Sequence, residues 1–414
     1  MRIHVLGLGA ISALVSHHLR IALPRAYPIT LIRRSKQLVT KGRVDDGVIR
    51  IENHGIVVSS TGYESEVVDE EELMRVGRKS VRELRGFTLN MPEKPAKPME
   101  PLHPIESLII TSKPQVTLQV LKKLQPRLSS DSTIVLLQEG LGVYEYVIQE
   151  IFRNPETRPH FIIAFNTHGA WQKNFRQVVH AGIGEIEFGI VPDPQNRDFE
   201  ASLKDAHTPI QSRSLRIDDI AQPDDPHFSH YRSLRLTVAA LSAMEALNAK
   251  WKPIQDVHVA MRRKLAVNAV IYPMTALMGC RNGDIFREEA SRRIARRICS
   301  EASAAYACEL ISSTHSMLER LGDEHNEGQM SVGRLPRELE YPALEEECQR
   351  VVAKTKGNIS SMLKDVRQGK PTEIDFINGY LIRLSNAHGR KAPANSMLLD
   401  LIKMRSSIPL DQML

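Results

Sequence analysis

The first twelve residues constrain the fold of this chain more than any other segment. Residues 2–6 (RIHVL) are short and apolar and predict a strand, and apolar residues at helical spacing over 10–23 predict a helix. The turn between them has the sequence Gly7-Leu8-Gly9-Ala10-Ile11-Ser12. A G-x-G-x-x-G turn between a strand and a helix is typical of βαβ units that bind dinucleotides.

The residues of this turn suit phosphate binding. The first glycine allows the tight turn, and the second lets the backbone approach a pyrophosphate whose charge lies at the helix N-terminus. Ser12 replaces the third glycine, and we expect this small side chain to be tolerated with the helix slightly further from the strand. We therefore predict that the whole turn binds a dinucleotide, with an ordinary βα turn as the alternative.

The end of the second predicted strand indicates which dinucleotide is bound. Residues 29–32 form this strand, and Arg33 and Arg34 follow it directly. NAD sites place an acidic residue here for the ribose hydroxyls, whereas arginines bind a 2′-phosphate. Because no acid is present, we predict NADPH as the cofactor, with both arginines facing the solvent.

The remaining pattern divides the chain into a mixed part and a helical part. Strands are predicted over 108–111, 133–138 and 161–165, with a helix over 115–125, and this alternation favours a parallel sheet. Helical periodicity dominates later, over 231–250, 256–280, 286–311, 345–366 and 373–388. We predict an α/β Rossmann domain over 1–230, with irregular insertions near 85–105 and 191–230. An all-α domain follows over 231–414, with a loop over 322–342.

Composition excludes several classes of protein. Lysine and arginine exceed aspartate and glutamate by only 55 to 49 in 414 residues, which suits an anionic ligand without requiring nucleic acid. No apolar run approaches the roughly 18 residues that span a bilayer. The four cysteines form no C-x-x-C pair and the histidines show no ligand spacing, so we expect neither disulfides nor a metal. The first residues resemble no secretory leader or transit segment, which predicts a cytoplasmic protein, with a mitochondrial one as the alternative.

One basic stripe requires its own interpretation. Arginines 292 and 296, and arginines 293 and 297, are each four residues apart in a predicted helix. We interpret this stripe as a solvated helix face, and an RNA or membrane surface is the alternative.

Two C-terminal segments carry residues suited to carbonyl chemistry. Lys264, Asn268 and Tyr272 lie four apart and share one predicted helix face. A lysine beside apolar neighbours is partly desolvated, which would make it a proton donor to a carbonyl, although a surface lysine is the alternative.

The second segment carries a serine, an asparagine and a carboxylate. Asn358 and Ser361 are three apart on a predicted helix. Thr372 and Asp375 form a plausible capping pair that would place Glu373 in the first turn of the next helix. From this pattern alone, Glu373 is an ordinary acid of a first helical turn.

Taken in order, these motifs resemble the ketopantoate reductase family, as a diverged, fungal-type member. The motifs are the Gly7 turn, TSKPQ with Lys113, QEGLG (138–142), THGAW (167–171), VVHAGIGEIEFG (178–189), KLAVNAVIYPMTAL (264–277) and NISSMLKDVRQGKPTEIDFINGYL (358–381). The last two are highly specific. Residues 37–105, 190–250 and 312–345 match poorly.

The resemblance implies a Rossmann domain joined to a helical domain like that of 6-phosphogluconate dehydrogenase. It implies reduction of ketopantoate, a small 2-keto acid, by NADPH on the route to pantothenate and coenzyme A. Lys264 matches the general acid of the family and Glu373 the carboxylate that binds the substrate hydroxyl. Ser361, Asn358 and Asn268 match polar substrate contacts, Lys113 a cofactor contact, and the helical domain a surface for a homodimer.

Two positions depart from the family pattern. Glu139 stands where the family usually has an asparagine near the nicotinamide and the substrate, and Tyr272 stands at a substrate position that is commonly asparagine. Glu139 could repel an anionic substrate, pair with Lys264 and so remove the general acid, or become protonated through burial and donate a hydrogen bond. These departures leave open a reductase of another 2-keto compound, or a non-catalytic binding or regulatory relative, including a mitochondrial, RNA-linked one.

Overall fold

The computed structural model describes residues 1–7, 9–33, 47–68, 103–174, 177–321 and 334–408. Two residues of the predicted cofactor site, Leu8 and Arg34, lie outside these ranges, as does most of the predicted insertion near 85–105. The chain divides into two compact units. The first contains Met1–Gln138 and Glu145–Val257, and the second contains Glu139–Tyr144 and His258–Leu414.

The described part of the first unit contains twelve strands. They are β1 (Ile3–Leu6), β2 (Ile29–Arg33), β3 (Ile49–Asn53), β4 (Ile56–Ser60), β5 (Tyr63–Val67), β6 (Ser107–Ile110), β7 (Thr133–Leu137), β8 (His160–Asn166), β9 (Gly169–Asn174), β10 (Gln177–Gly182), β11 (Ile186–Ile190) and β12 (Ala249–Trp251). Eight form one sheet in the order β12-β11-β8-β7-β6-β1-β2-β5, and a smaller sheet has the order β4-β3-β10-β9.

Six neighbouring strands of the large sheet, from β8 to β5, are parallel, as the alternation of strands and helices predicts. β11 is antiparallel to β8, and β12 is parallel to β11. The predicted Rossmann fold is therefore confirmed. The smaller sheet has no counterpart in the sequence-based prediction.

The α-helices in the described residues are α1 (Ala10–Ala22), α2 (Pro114–Leu124), α3 (Val143–Glu150), α4 (Phe228–Ser242), α5 (Ile254–Met278), α6 (Glu289–Leu321), α7 (Tyr341–Lys354), α8 (Ser361–Arg367), α9 (Asn378–Ala387) and α10 (Pro393–Ser407). The described part of the second unit contains helices and short helical turns, in agreement with the predicted all-α domain. None of the helices in the described ranges is long and apolar enough to cross a bilayer.

Helix α4 belongs to the first unit, so the change of unit after Val257 lies later than the predicted boundary at 230. Two buried hydroxyl pairs attach α4 to the large sheet. Ser233 Oγ lies 2.8 Å from Thr133 Oγ1, and Thr237 Oγ1 lies 2.9 Å from Ser107 Oγ. These contacts join the predicted first helix of the second domain to the core of the first.

Several predicted elements differ in extent. The helix predicted over 231–250 ends at Ser242, because residues 249–251 pair with β11 as a strand after Asn248 adopts a left-handed backbone (φ 45°). The irregular segment 191–230 packs on the sheet core through Phe199, Ile220 and Ala221, and helix α4 begins within it. The predicted helix over 345–366 is two helices, because the Ser360 hydroxyl accepts from Leu363 N at 3.1 Å and starts a new one.

Helix α5 contains a proline, and a side chain of helix α9 donates the hydrogen bond that this proline cannot donate. Pro273 has no N–H, so the carbonyl of Ala269, four residues earlier, lacks its helical donor. Asn378 Nδ2 at the start of α9 donates to that carbonyl at 3.0 Å. The same amide donates to Asn395 Oδ1 at 2.9 Å, and Asn395 Nδ2 donates to Glu301 at 2.7 Å. This buried network fixes α5 within the helical unit.

Candidate functional site

The turn between β1 and α1, which we call the phosphate turn, is closely packed at Gly7. Gly7 has a φ of +143°, and a Cβ built on it would lie 2.4 Å from Thr111 Oγ1. No other residue fits this close approach between the ends of β1 and β6. Ser12 is buried, and its Oγ donates to the Gly7 carbonyl at 3.0 Å. The hydroxyl of the serine that replaces the third glycine therefore has its hydrogen-bond partner within the turn.

The N-terminus of α1 fits a pyrophosphate. Gly9 is the N-cap in an extended conformation, no described side chain caps it, and the first turn, which includes Ala10 and Ile11, contains no acid. A Cβ built on Gly9 meets no atom within 4 Å, so open space lies beside the backbone here. Unpaired N–H groups at a helix N-terminus attract anions. A dinucleotide phosphate is the group that this arrangement suits.

Arg33 does not have the exposure that we predicted. It is the last residue of β2, and only 2% of its surface is exposed. β2 lies between β1 and β5 in the sheet, and all five of its residues are buried. The expectation that Arg33 faces solvent is wrong. β2 has a neighbouring strand on each side, and its last residue is buried together with the rest of the strand. A contact between Arg33 or Arg34 and a 2′-phosphate stays a prediction.

Lys113 lies close to the phosphate turn in the fold. It is the N-cap of α2, three residues after β6 ends, and β6 is the parallel neighbour of β1. The carboxyl ends of neighbouring parallel strands meet at one edge of a sheet, which is where doubly wound folds bind ligands. Lys113 and Gly7 are therefore at the same edge, as a shared cofactor site requires.

The second unit brings together five side chains that the sequence separates widely. Lys264 Nζ lies 3.2 Å from Glu139 Oε1, and Tyr272 OH lies 3.2 Å from Oε1 and 3.1 Å from Oε2 of the same carboxylate. Ser361 forms a hydrogen bond with the Tyr272 side chain, and the Glu373 carboxylate interacts electrostatically with it. Of the three alternatives for Glu139, the structure shows the ion pair with Lys264. We call these five residues the Lys264 cluster.

Burial and charge keep Tyr272 protonated. Burial raises the pKa of its phenol well above 10, and the charges of Glu139 and Glu373 raise it further. The Tyr272 hydroxyl is therefore a hydrogen-bond donor to Glu139 at any pH at which the protein would work.

Backbone contacts hold the loop that carries Glu139. Leu141 N donates to the Phe376 carbonyl at 3.0 Å. Gly140 has a φ of +88°, and a Cβ built on it would lie 2.7 Å from the same oxygen. The loop therefore packs directly on the segment that follows Glu373. Phe376 was not predicted to have any role here, although the two glycines of QEGLG indicate a tight loop.

The remaining predicted site residues take different positions. Asn268 lies one turn after Lys264 in α5 and is 6% exposed. Asn358 is exposed and precedes α8, so it does not lie on a helix with Ser361 as predicted, because the cap at Ser360 starts the helix later. Its carbonyl accepts from Asn282 N at 3.0 Å.

Glu373 is buried, at 8% exposure, but the predicted capping pair is wrong. Glu373 itself is the residue before a short helical turn, Ile374–Phe376, so Thr372 does not cap this turn. Asp375 Oδ1 instead pairs with Lys403 Nζ of α10 at 2.7 Å. The carboxylate of Glu373 therefore lies before the helical turn and not within it.

The basic stripe on α6 has partners. Arg296 pairs with Glu289 at 3.2 Å and with Glu345 at 3.0 Å, and Arg292 lies 3.8 Å from Glu289. These contacts agree with a solvated helix face. Within the described ranges, no group of three or more histidine, cysteine or acidic side chains could hold a metal ion.

Comparisons with known proteins agree with both units. Residues 3–193 match the protein family described as "ketopantoate reductase PanE/ApbA". Residues 256–406 match the family described as "ketopantoate reductase PanE/ApbA C terminal". A 2-dehydropantoate 2-reductase of Vibrio cholerae is 29% identical over 296 residues, which are 72% of this chain and 76% of that protein.

Solved structures have the same fold. A D-mandelate dehydrogenase in ternary complex with NADH and anilino(oxo)acetate matches with a TM-score of 0.65 and 16% identity over 98% of both chains. A ketopantoate reductase from Ralstonia eutropha matches with a TM-score of 0.63 and 16% identity, again over 98% of both chains. At this identity the structural similarity shows the fold alone. Together with the two family matches, which cover most of the sequence, it shows that this chain belongs to the ketopantoate reductase family.

Proposed function

We propose that this protein reduces the keto group of ketopantoate to the hydroxyl of pantoate, with NADPH as the reductant. The observation that carries this proposal is the Lys264 cluster. It places an ammonium, two neutral hydroxyls and a buried carboxylate within one unit, at the positions that the family resemblance assigns to the general acid and the substrate contacts. The phosphate turn supports a dinucleotide as the second reactant.

Lys264 would act as the general acid. Its ammonium polarises the keto oxygen and stabilises the negative charge that develops there. Bound NADPH supplies the hydride that adds to the keto carbon. Lys264 then transfers a proton from Nζ to the oxygen, which completes the hydroxyl, and the neutral amine regains a proton from water.

The other residues of the cluster would hold the substrate. The Glu373 carboxylate accepts a hydrogen bond from the substrate hydroxyl, and the Ser361 hydroxyl donates to the substrate carboxylate. Glu139 need not repel that carboxylate. A bare charge about 4 Å away would cost roughly 4 kcal/mol at an effective dielectric constant of 20. However, the Lys264 ammonium neutralises Glu139 at short range, and this reduces the repulsion.

The direct test follows NADPH oxidation by the purified protein over a panel of 2-keto acids. We expect ketopantoate to give the highest kcat/KM, and NADH to be bound at least tenfold more weakly than NADPH. A preparation made in the same way from cells that lack the gene serves as the control for contaminating reductases. If no 2-keto acid is reduced while NADPH binds, the catalytic proposal is wrong and a binding role takes its place.

We further propose that the enzyme works in the cytoplasm as a homodimer. All four cysteines are free, which suits a reducing compartment. Met397 and Met404 lie on α10 two turns apart and are 66% and 54% exposed, so a second copy could cover them. Cell fractionation and sedimentation velocity test these two proposals, and Met404→Glu should shift a dimer toward the monomer.

A further inference from the structure

We propose that Tyr272 is a positioning residue for Lys264 and acts through the carboxylate of Glu139. The proposal rests on the proposed function only in treating Lys264 as the general acid. It differs from the sequence-based expectation that Tyr272 contacts the substrate. The geometry points to a chain of contacts from Ser361 through Tyr272 and Glu139 to Lys264.

Two side chains of α5 converge on one carboxylate oxygen of Glu139. Glu139 Oε1 accepts from Lys264 Nζ and from Tyr272 OH, each at 3.2 Å, while Tyr272 OH also lies 3.1 Å from Oε2. Lys264 and Tyr272 are eight residues apart on α5, which corresponds to about 12 Å along a helix axis. A carboxylate from outside the helix is therefore needed to connect them, and Glu139 provides it.

Backbone contacts already fix the loop that carries Glu139. Only the rotation of the Glu139 side chain still needs a restraint. Leu141 N donates to the Phe376 carbonyl, and Gly140 packs against the same oxygen. A glutamate has three rotatable bonds, and a single 3.2 Å contact to a flexible lysine holds it weakly. The Tyr272 hydroxyl lies within hydrogen-bond distance of both carboxylate oxygens, so its single donated hydrogen adds a second restraint on the carboxylate.

Tyr272 is suited to this role because its own position is restrained. Its ring is carried on the helical core next to Pro273, and its hydroxyl has a second partner in Ser361. An oriented carboxylate that holds a proton-transferring side chain in place is a recurring device in enzymes, as in the aspartate of serine-protease triads. Removal of the hydroxyl should let the carboxylate adopt several orientations, and in some of these it no longer contacts Lys264.

The first experiment is a double-mutant cycle. Tyr272→Phe should lower kcat about tenfold, because misplacement of a reacting group by about 1 Å costs up to 100-fold, while KM and the NADPH Kd stay within about twofold. In a Glu139→Ala background the same substitution should change kcat less than twofold, since no carboxylate is left to position. Equal effects in both backgrounds, or an effect on KM alone, would overturn the proposal.

A matched control separates positioning from loss of a buried hydrogen bond. Tyr306 is buried in the helical unit, and its hydroxyl donates to the Arg262 carbonyl of α5 at 3.0 Å. Tyr306→Phe removes a comparable hydroxyl without touching Glu139. We expect it to keep kcat within twofold of the wild type. A tenfold loss in this variant as well would show that α5 tolerates no lost hydroxyl, and the positioning role would be rejected.

The second experiment does not depend on turnover. An amine-specific reagent modifies a lysine faster when its amine is released from an ion pair, and mass spectrometry of the peptide that contains Lys264 measures the rate. We expect Tyr272→Phe to raise this rate at least threefold at pH 8, and Tyr306→Phe to leave it unchanged. Equal rates in the wild type and in Tyr272→Phe would contradict the proposal. If the wild type reduces no keto acid, the proposed function fails, and this measurement alone decides the role of Tyr272.

Discussion

Lys264 Nζ and Glu139 Oε1 lie 3.2 Å apart, although 125 residues separate them in the chain. The side chains are 24% and 32% exposed, so solvent screens their attraction only in part. The pair gives the general acid of the proposed reaction a fixed neighbour of opposite charge.

Replacement of Lys264 tests the acid directly. Lys264→Ala should lower kcat at least about 100-fold, the range expected for a positioned general acid, while NADPH affinity changes little. Steady-state kinetics and a fluorescence titration with NADPH measure the two quantities. Activity within tenfold of the wild type would show that this lysine does not donate the proton.

Two glycine variants separate folding from phosphate binding. Gly9→Ala should preserve the melting temperature within a few degrees, since its Cβ meets no atom within 4 Å, but weaken NADPH binding at least tenfold by filling the space beside the helix N-terminus. Gly7→Ala should destabilise the fold as well, because its Cβ would lie 2.4 Å from Thr111 Oγ1. Unchanged NADPH affinity in Gly9→Ala would place the pyrophosphate elsewhere.

The amide of Asn378 should stabilise the helical unit by satisfying the carbonyl that Pro273 leaves open. Asn378→Ala should cost about 1–3 kcal/mol of unfolding free energy, the usual cost of a buried unsatisfied polar group. Adding Pro273→Ala should recover part of that loss, because residue 273 then donates to Ala269. Urea unfolding measures both variants. A double variant no more stable than Asn378→Ala would show that the carbonyl is not the cause.

Buried histidines should make the first unit sensitive to acid. Burial lowers the pKa of His17 to about 4, whereas the unfolded chain has an ordinary value near 6.5. Between these values the unfolded state binds more protons, so the unfolding free energy falls as the pH falls from 7 toward 4. For His17 alone the loss at pH 5 is about 2 kcal/mol.

The variant His17→Asn tests this pH dependence, because it can keep a contact with Ser60 Oγ, which lies 2.8 Å from His17 Nδ1. Its loss of stability between pH 7 and pH 5 should be smaller than that of the wild type by about that amount. His207, which is exposed, provides the control variant His207→Asn. The same pH dependence in wild type and His17→Asn would exclude His17 as the group that titrates.

The sequence by itself determined the features that depend on neighbouring residues. The Gly7 turn, the strands of the parallel sheet and helix α5 follow from apolar periodicity and from glycine geometry, which operate within a few residues. The same local patterns placed Lys264 and Tyr272 on one helix face, whereas Glu373 became a candidate only through the family resemblance. The order of the motifs along the chain, which resembles that of the ketopantoate reductase family, was also evident from the sequence.

Only the tertiary structure decided which distant groups meet. Arg33 is buried at the end of a strand that pairs with β1 on one side and β5 on the other, and the strand at 249–251 forms by pairing with β11. The choice among three states for Glu139 depended on where Lys264 and Tyr272 come to lie. Local propensity is set by adjacent residues, whereas burial and pairing are set by packing between segments far apart in the chain, so the sequence alone left these questions open.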